Sequence, residues 1–324
     1  MKNYKQIILI FLSLCSFVFC GWYTYEYNFG RYKISAPMED FEYKKAIIED
    51  SGNVFYKLEN LRSIAGPNEF IRFVLENNDR PQTYTPSLEN RKNGTYRANF
   101  HIHTTDSDGQ KTVEERLDEA QVYAENYIKD GYMYIALTDH NTVLGAKHII
   151  KVLQKYPNRY KNLKIVPGLE VSFLYNNSKY SQQPINMHVL ALCINPYDKF
   201  LNKTFYKKDL KDKWNERVAY FDFKSYMPVL AKYAILGVAH PARYVGHLGK
   251  DVYPYIEEML DTYKYCHSRL LFVEGYYQSY KDNEKAAIYG DFNKFSNFIN
   301  TEAQQRGIVL TGSTDAHGPS IFRR

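Results

Sequence analysis

Cysteine is nearly absent from this chain. Four occur in 324 residues, and two of them, Cys15 and Cys20, fall within the first twenty positions. Only Cys193 and Cys266 remain for a folded body, and their flanking sequence suits either one disulfide or two buried thiols. No CxxC pair occurs, which excludes the usual thiolate zinc sites. A metal here would need imidazole and carboxylate ligands. A strong excess of one charge is also lacking: 42 Lys and Arg stand against 36 Asp and Glu, a formal net charge of +6. That balance suits an anionic substrate or surface and does not by itself indicate nucleic acid. A full membrane-spanning run is lacking too. The apolar stretch "IILIFLSLCSFVFC" occupies residues 7 to 20, whereas a bilayer span needs about 20 residues.

What is present fits one large domain or a domain plus an extension. The chain is 44% hydrophobic and 24% charged, enough to bury a core without disulfides. Tyrosine is abundant at 31 residues, but with so many Asn and Lys this reads as a codon-composition bias rather than a stacking platform. Lys2 and Lys5 precede the apolar run, so residues 1–20 read as a secretory signal or signal-anchor. "SFVFCG" weakly resembles a lipoprotein cleavage site at Cys20, with Phe19 bulkier than such sites accept. The expected location is therefore exported: secreted, periplasmic or membrane-anchored, with membrane contact only through this segment. Residues 21–95 carry Pro, Asn and Gly breaks and read as an N-terminal extension or small subdomain. Within them, "EDFEYKKAIIED" is a candidate helix.

From Tyr96 the pattern becomes rhythmic, and residues 96–324 form the main domain. "YRANFHIH" reads as a strand, followed by "TVEERLDEAQVYAENYIKDG" as a helix. Thr112 and Glu115 are placed for a capping box. Val113, Leu117, Ala120, Ala124 and Tyr127 recur at helical spacing, and Gly131 suits the stop. "YMYIALTDH" is apolar until its end, as a parallel strand covered on both faces would be. Strand and helix then alternate through "NLKIVPGLEV", "INMHVLALCI", "AILGVAHP", "RLLFVEGYY" and "IVLTGSTDAH". About seven such alternations argue for an α/β fold with mainly parallel strands, closed or nearly closed into a barrel. A lysine-rich insertion between Asn195 and Glu216 reads as a solvated face, or as a rim attracting a polyanion.

The polar residues at the strand ends carry the chemistry. "NFHIHTTDSDG", residues 99–109, sets His101 and His103 on one face of a strand, with Asp108 on the following turn. His140, Glu170, His240 and Asp315 also close apolar strand candidates, at the edge where α/β folds build sites. His188 lies inside a strand, and His317 follows Asp315 by two positions. Singly, each could be a structural residue bonded to backbone. Together, burying them without compensation would be costly, and coordination supplies the compensation. Nine nitrogen and oxygen donors exceed the needs of one tetrahedral zinc and suit two or three ions, with Zn²⁺ or Mn²⁺ favoured and Fe acceptable. Such a site suits hydrolysis: one ion lowers the pKa of water while others hold phosphate oxygens.

These motifs, in this order over residues 96 to 318, resemble those of the PHP superfamily, the polymerase and histidinol phosphatase metallophosphoesterases. The resemblance implies a distorted (β/α)7 barrel of PHP type with an N-terminal extension. It implies metal ligation by His101, His103, Asp108, His140, Glu170, His188, His240, Asp315 and His317. By the same resemblance, His101, His103, Glu170 and Asp315 would hold one ion. Glu170, His188 and His240 would hold a second, and Asp108, His140 and His317 a third. Two departures stand out. Thr314 occupies the place where many members have Asp directly after Ser. The chain stops at Arg324, soon after the last motif, so closure is expected to draw on the N-terminal arm.

Three further residues are candidates for catalysis. Arg243 could form a phosphate fork, His247 could serve as a general acid, and Asp139 could orient a ligand or assist water. The expected activity is phosphoester hydrolysis of a small anionic phosphate-containing substrate, with no specific nucleic acid partner. The alternatives are a metal-dependent hydrolase of a non-phosphate bond and a non-catalytic metal-binding surface protein.

Overall fold

The computed structural model describes residues 26–29, 32–175, 185–205, 221–241, 252–261, 266, 270–276 and 292–323. The leader, Arg243, His247 and residues 206–216 of the lysine-rich insertion lie outside them. Strands β1 (Glu26–Phe29) and β2 (Tyr32–Ser35) pair antiparallel, followed by helices α1 (Asp40–Ser51) and α2 (Pro67–Glu76). Short helices α3 (Pro81–Tyr84) and α4 (Leu88–Lys92) lead into β3 (Ala98–Asn99). The main body continues as α5 (Val113–Tyr127), β4 (Met133–Leu137), α6 (Leu144–Lys155), β5 (Leu163–Tyr175) and β6 (Ile185–Leu192). It ends with α7 (Lys199–Phe205), β7 (Phe221–Asp222), α8 (Phe223–Leu230), β8 (Ile235–Val238), α9 (Val252–Asp261), β9 (Leu270–Glu274), α10 (Phe292–Gln305) and β10 (Val309–Thr311). Among the described residues, no helix is long and apolar enough to cross a membrane.

Seven strands form one curled sheet in the order β10-β9-β8-β6-β5-β4-β3, with β7 paired to β5 off this path. β6 runs antiparallel to both neighbours, and the other pairings along the path are parallel. The two edges meet at a bridge between Ile102 and Ala316. There the His103 N–H donates to the Ala316 carbonyl (3.0 Å), and the Ala316 N–H donates to the His101 carbonyl (3.3 Å). The fold is thus a distorted seven-strand α/β barrel. Its seam is formed by the chain segments carrying the first and last motifs. At the bridge itself those two segments supply each other's backbone partners.

Thr314 is absorbed at the same seam. The Asn99 amide donates to Thr314 Oγ1 (2.8 Å) and to the Ile321 carbonyl (2.9 Å), while the Thr314 hydroxyl donates to the same carbonyl (2.9 Å). All of this is buried. Arg116 adds a further tie, donating from Nε to the His103 carbonyl (3.0 Å) and from Nη2 to the Ala316 carbonyl (3.4 Å). Helical periodicity gave Arg116 no role, yet it is fully buried, whereas Tyr127, expected on the apolar face, is 43% exposed. The α5 capping box forms as its sequence predicts. The helix stops earlier than Gly131, where Ile128 turns extended, and Gly131 (φ 85°) serves the turn before β4.

Strand alternation sorts the core into two layers. Leu190, Leu192, Ile235, Phe272 and Val309 pack in one cluster. Their neighbours Val189, Ala191, Leu236, Val273 and Leu310 pack in another, against Phe223, Met227, Ile256 and Ile299 from the helices. The first cluster also takes in Ile47, Leu61, Ile64, Phe70 and Val74, so the N-terminal extension shares its core with the barrel. Ile64 bridges to Ile165 at the start of β5. Phe70 on α2 is fully buried, its ring 5.0 Å from Phe100 and 6.2 Å from Phe272. Cys193 and Cys266 are buried free thiols, so no disulfide joins them. Phe70→Ala is expected to lower stability by about 3–5 kcal/mol in urea denaturation. A loss under about 1 kcal/mol would mean that the extension does not help hold the barrel.

Candidate metal centre

The same alternation points polar strand residues inward. His188 shares the parity of Leu190 and Leu192. Glu170 lies between Leu169 and Val171, which face the helical layer, so its own side chain faces the interior. His240 follows β8 and by parity would join Leu236 and Val238 outside. Its left-handed backbone (φ 27°) ends the strand and turns the ring inward. Asn141 (φ 51°) and Asp315 (φ 48°) are likewise left-handed, at the exits of β4 and β10. Such conformations cost roughly 1–3 kcal/mol each in residues other than glycine and collect where function demands them. Asn141 is held by two backbone bonds: its N–H donates to the Glu170 carbonyl (2.8 Å), and the Ser172 N–H donates to its Oδ1 (2.9 Å).

Glu170 is the centre of the arrangement. Its Oε1 lies 2.7 Å from His188 Nδ1 and 3.0 Å from His240 Nε2. Its Oε2 lies 3.1 Å from His101 Nε2, 3.3 Å from His103 Nε2 and 3.0 Å from His140 Nδ1. Asp315 Oδ1 is 3.3 Å from His101 Nε2 and 3.1 Å from His103 Nε2. On the other side, Asp108 Oδ1 lies 3.2 Å from His317 Nε2, 3.6 Å from His103 Nδ1 and 3.9 Å from His140 Nε2. All nine expected ligands are therefore brought together.

Three groups of donors, each within 4.8 Å of one another, could each hold an ion: His101, His103, Glu170 and Asp315; His103, Asp108, His140 and His317; and His140, Glu170 and His188. The first is the set implied by the family resemblance. The second adds His103, which turns Nε2 toward one group and Nδ1 toward the other. In the third, His140 stands where His240 was expected, although His240 still reaches Glu170.

The donor set fits metal ions for a specific reason. His101 Nε2, His103 Nδ1, His140 Nδ1 and Glu170 Oε2 are buried and make no hydrogen bond. They lie close together yet are not aligned as donor and acceptor. Leaving such atoms dry and unsatisfied is costly, and a cation would satisfy them together.

Asp139 plays a different part. Its Oδ1 accepts from the Thr104 N–H (2.7 Å) and the Ser107 hydroxyl (2.7 Å), and its Oδ2 accepts from the Thr104 hydroxyl (2.8 Å). These bonds pin the loop that carries Asp108. Gly145 leaves the room, since a Cβ there would collide with Asp139 Oδ2. One buried acid was missed in the sequence reading. Glu274 ends β9, with both oxygens 3.3 Å from His101 Nδ1. The rule that acids at strand ends mark sites applies equally to "RLLFVEGYY", but no motif drew attention to it.

Burial and neighbouring charge pull in opposite directions in this cluster. Burial pushes His103 and His188 down to about 4, which keeps both neutral. Burial also lowers His317. Burial alone would raise Glu170 and Asp315, but the surrounding imidazoles, His101 foremost, outweigh it and hold both well below the usual carboxylate range. His101 moves the other way: burial would lower it, and Glu170, Glu274 and Asp315 together hold it well above its ordinary value. The sign for metal-free protein follows by linkage. His103 and His188 bind protons more readily unfolded, at about 6.5, than folded, at about 4. Their contribution is complete above about pH 6.5 and is lost as pH falls to about 4, and the lowered carboxylates act in the same direction. His101 opposes them, its contribution fading as pH rises through its raised value. Metal-free protein should therefore lose stability between about pH 6.5 and 4 in urea titrations, and His188→Asn should flatten that slope. An unchanged slope would contradict the assignment.

Comparison with known proteins agrees with the motifs. The PHP domain family matches residues 99–283, more than half of the chain. The DNA polymerase/3'-5' exonuclease PolX of Bacillus subtilis (strain 168) is 29% identical over 110 residues. That match covers 31% of this chain and only 18% of the polymerase. Two solved structures each cover 69% of this chain and 88% of their own, at TM-score 0.44. One is an amidohydrolase from Chromobacterium violaceum with bound sulfate and no metal, at 15% identity. The other, from Bifidobacterium adolescentis at 14% identity, is described as a metal-dependent phosphoesterase on a provisional basis. At that score, neither likeness adds to the assignment. With its ordered motifs gathered at one end of a seven-strand barrel, and with that family matching residues 99–283, this chain belongs to the PHP domain family.

Proposed function

We propose that this protein is an exported metal-dependent phosphoesterase that hydrolyses a small phosphomonoester or phosphodiester. One observation carries the reading: a single buried carboxylate, Glu170, presents Oε1 to two imidazoles and Oε2 to three others. A carboxylate with both oxygens so engaged suits a bridge between cations. His101, His103, Asp315 and Glu170 would hold one ion, and Asp108, His140, His103 and His317 another. Glu170 Oε1, with His188 and His240 or His140, would complete a third. Divalent Zn²⁺ or Mn²⁺ suits such donors, and when bound it supplies Lewis-acid activation of water and neutralises phosphoryl charge.

The chain's own residues do the rest. The neutral imidazoles of His103 and His188 are ready to donate lone pairs without first losing a proton. Asp139 holds Asp108 on its loop through Thr104 and Ser107. The Ile102–Ala316 bridge keeps the opening His-x-His and the closing Asp-x-His in register. Arg243 would receive the phosphate, and His247 would protonate the leaving group. The export reading rests on Lys2, Lys5 and the apolar run at residues 7 to 20.

A substrate panel tests the proposal. It comprises bis-p-nitrophenyl phosphate, p-nitrophenyl phosphate, nucleotides and simple carboxyl esters, each with added Mn²⁺ or Zn²⁺. Phosphoester turnover should appear, vanish with a chelator and return with metal. Glu170→Gln should lower it by about 100-fold or more, beyond the 10–100-fold typical of groups behind the ligands. Turnover of carboxyl esters alone would place the chemistry on a non-phosphate bond. Silence across the panel from protein loaded with stoichiometric metal would leave a binding protein and overturn the proposal.

A further inference from the structure

Glu274 is a fully buried acid that belongs to none of the three donor groups among the described residues. It is the last residue of β9 and shares the inward parity of Phe272. Its carboxylate has two partners. Both oxygens lie 3.3 Å from His101 Nδ1, and Oε2 accepts from the His240 backbone N–H at 2.7 Å. These partners sit on opposite sides of Glu170: His101 faces Oε2 and His240 faces Oε1.

The chemistry of each contact is directional. A neutral imidazole carries one N–H, and the group facing one nitrogen decides which nitrogen holds it. A carboxylate facing Nδ1 keeps the proton there. In the neutral ring that a metal ion requires, that leaves the Nε2 lone pair of His101 aimed at the cluster, 3.1 Å from Glu170 and 3.3 Å from Asp315. At His240 the contact is to backbone. That residue needs its left-handed conformation to turn the ring inward. The bond from its N–H to Glu274 anchors the conformation at the point where the strand breaks.

We propose that Glu274 is a positioning residue that sets two metal donors at once, His101 by its tautomer and His240 by its backbone. The inference rests on the metal reading above and deepens it. One buried acid then couples the donors on the two faces of Glu170, although it touches no ion itself.

The test uses full-length protein and two readouts other than activity. In Glu274→Gln, the amide oxygen can still accept from the His240 N–H. The amide NH₂ then faces His101 Nδ1 and drives the proton to Nε2, where it blocks donation. Titration of Zn²⁺ or Mn²⁺ by calorimetry should show affinity 10–100-fold weaker. The metal-free melting temperature should stay within a few degrees of the parent. In the parent protein, nitrogen NMR of the histidine rings should find the His101 proton on Nδ1 once metal is bound. Parent-like affinity in Glu274→Gln, or a His101 proton on Nε2 in the parent, would overturn the proposal. If Glu274→Gln does not fold, the parent tautomer decides alone. If the parent takes up no metal at all, the metal reading fails instead, and the positioning role of Glu274 falls with it.

Discussion

An ionised carboxylate removed from water must be compensated, at a cost of several kcal/mol if it is not. Glu170 is fully buried and is met by five imidazole nitrogens within 3.3 Å. Most of the architecture serves to make that encounter tolerable. The five imidazoles come from four places in the chain: β3's exit, which supplies two, the loops after β4 and β8, and β6 itself. Each depends on strand parity or on a left-handed residue to aim inward. Remove the central acid and the histidines would face one another without compensation. Remove the histidines and the acid would be a bare buried charge.

The barrel seam has the same dual character. Seven strands curl until the first and last motifs lie side by side, and a short backbone bridge joins them. Asn99, Thr314 and Arg116 reinforce that bridge from buried positions. The segment that completes the sheet is therefore also the one that completes the donor set. Stability of the seam and geometry of the centre are linked: a change that loosens one displaces the other. Asp139 and Glu274 extend this linkage, since each fixes a donor-bearing segment without sitting among the donors.

Much of this was legible in the sequence. Apolar strands ending in acid or imidazole named the nine clustered residues, and Thr112 with Glu115 marked a helix start that the structure contains. The order of the strands was legible as alternation, but the antiparallel run of β6 was not, because a buried strand reads the same in either direction. Arg116 escaped because helical periodicity scores it as an exposed cation, whereas its partners are carbonyls distant in sequence. Glu274 escaped because its partners, His101 and His240, become neighbours only when the barrel closes. Thr314 stood out as a departure from the family pattern, and its hydroxyl finds Asn99 and Ile321. The aromatic side of the core, such as Phe70 against Phe100, was hidden because the extension showed no rhythm of its own.

The central claim is that this crowd of buried imidazoles and carboxylates is built around cations. A ligand that binds only the folded state raises stability by mass action, by about 2.7 kcal/mol at a hundredfold excess over its dissociation constant. The most direct measurement is the melting temperature of metal-free protein as Zn²⁺ or Mn²⁺ is added by the equivalent. The account predicts a stepwise rise that levels off at two or three equivalents per chain. A melting temperature indifferent to divalent metal would contradict it.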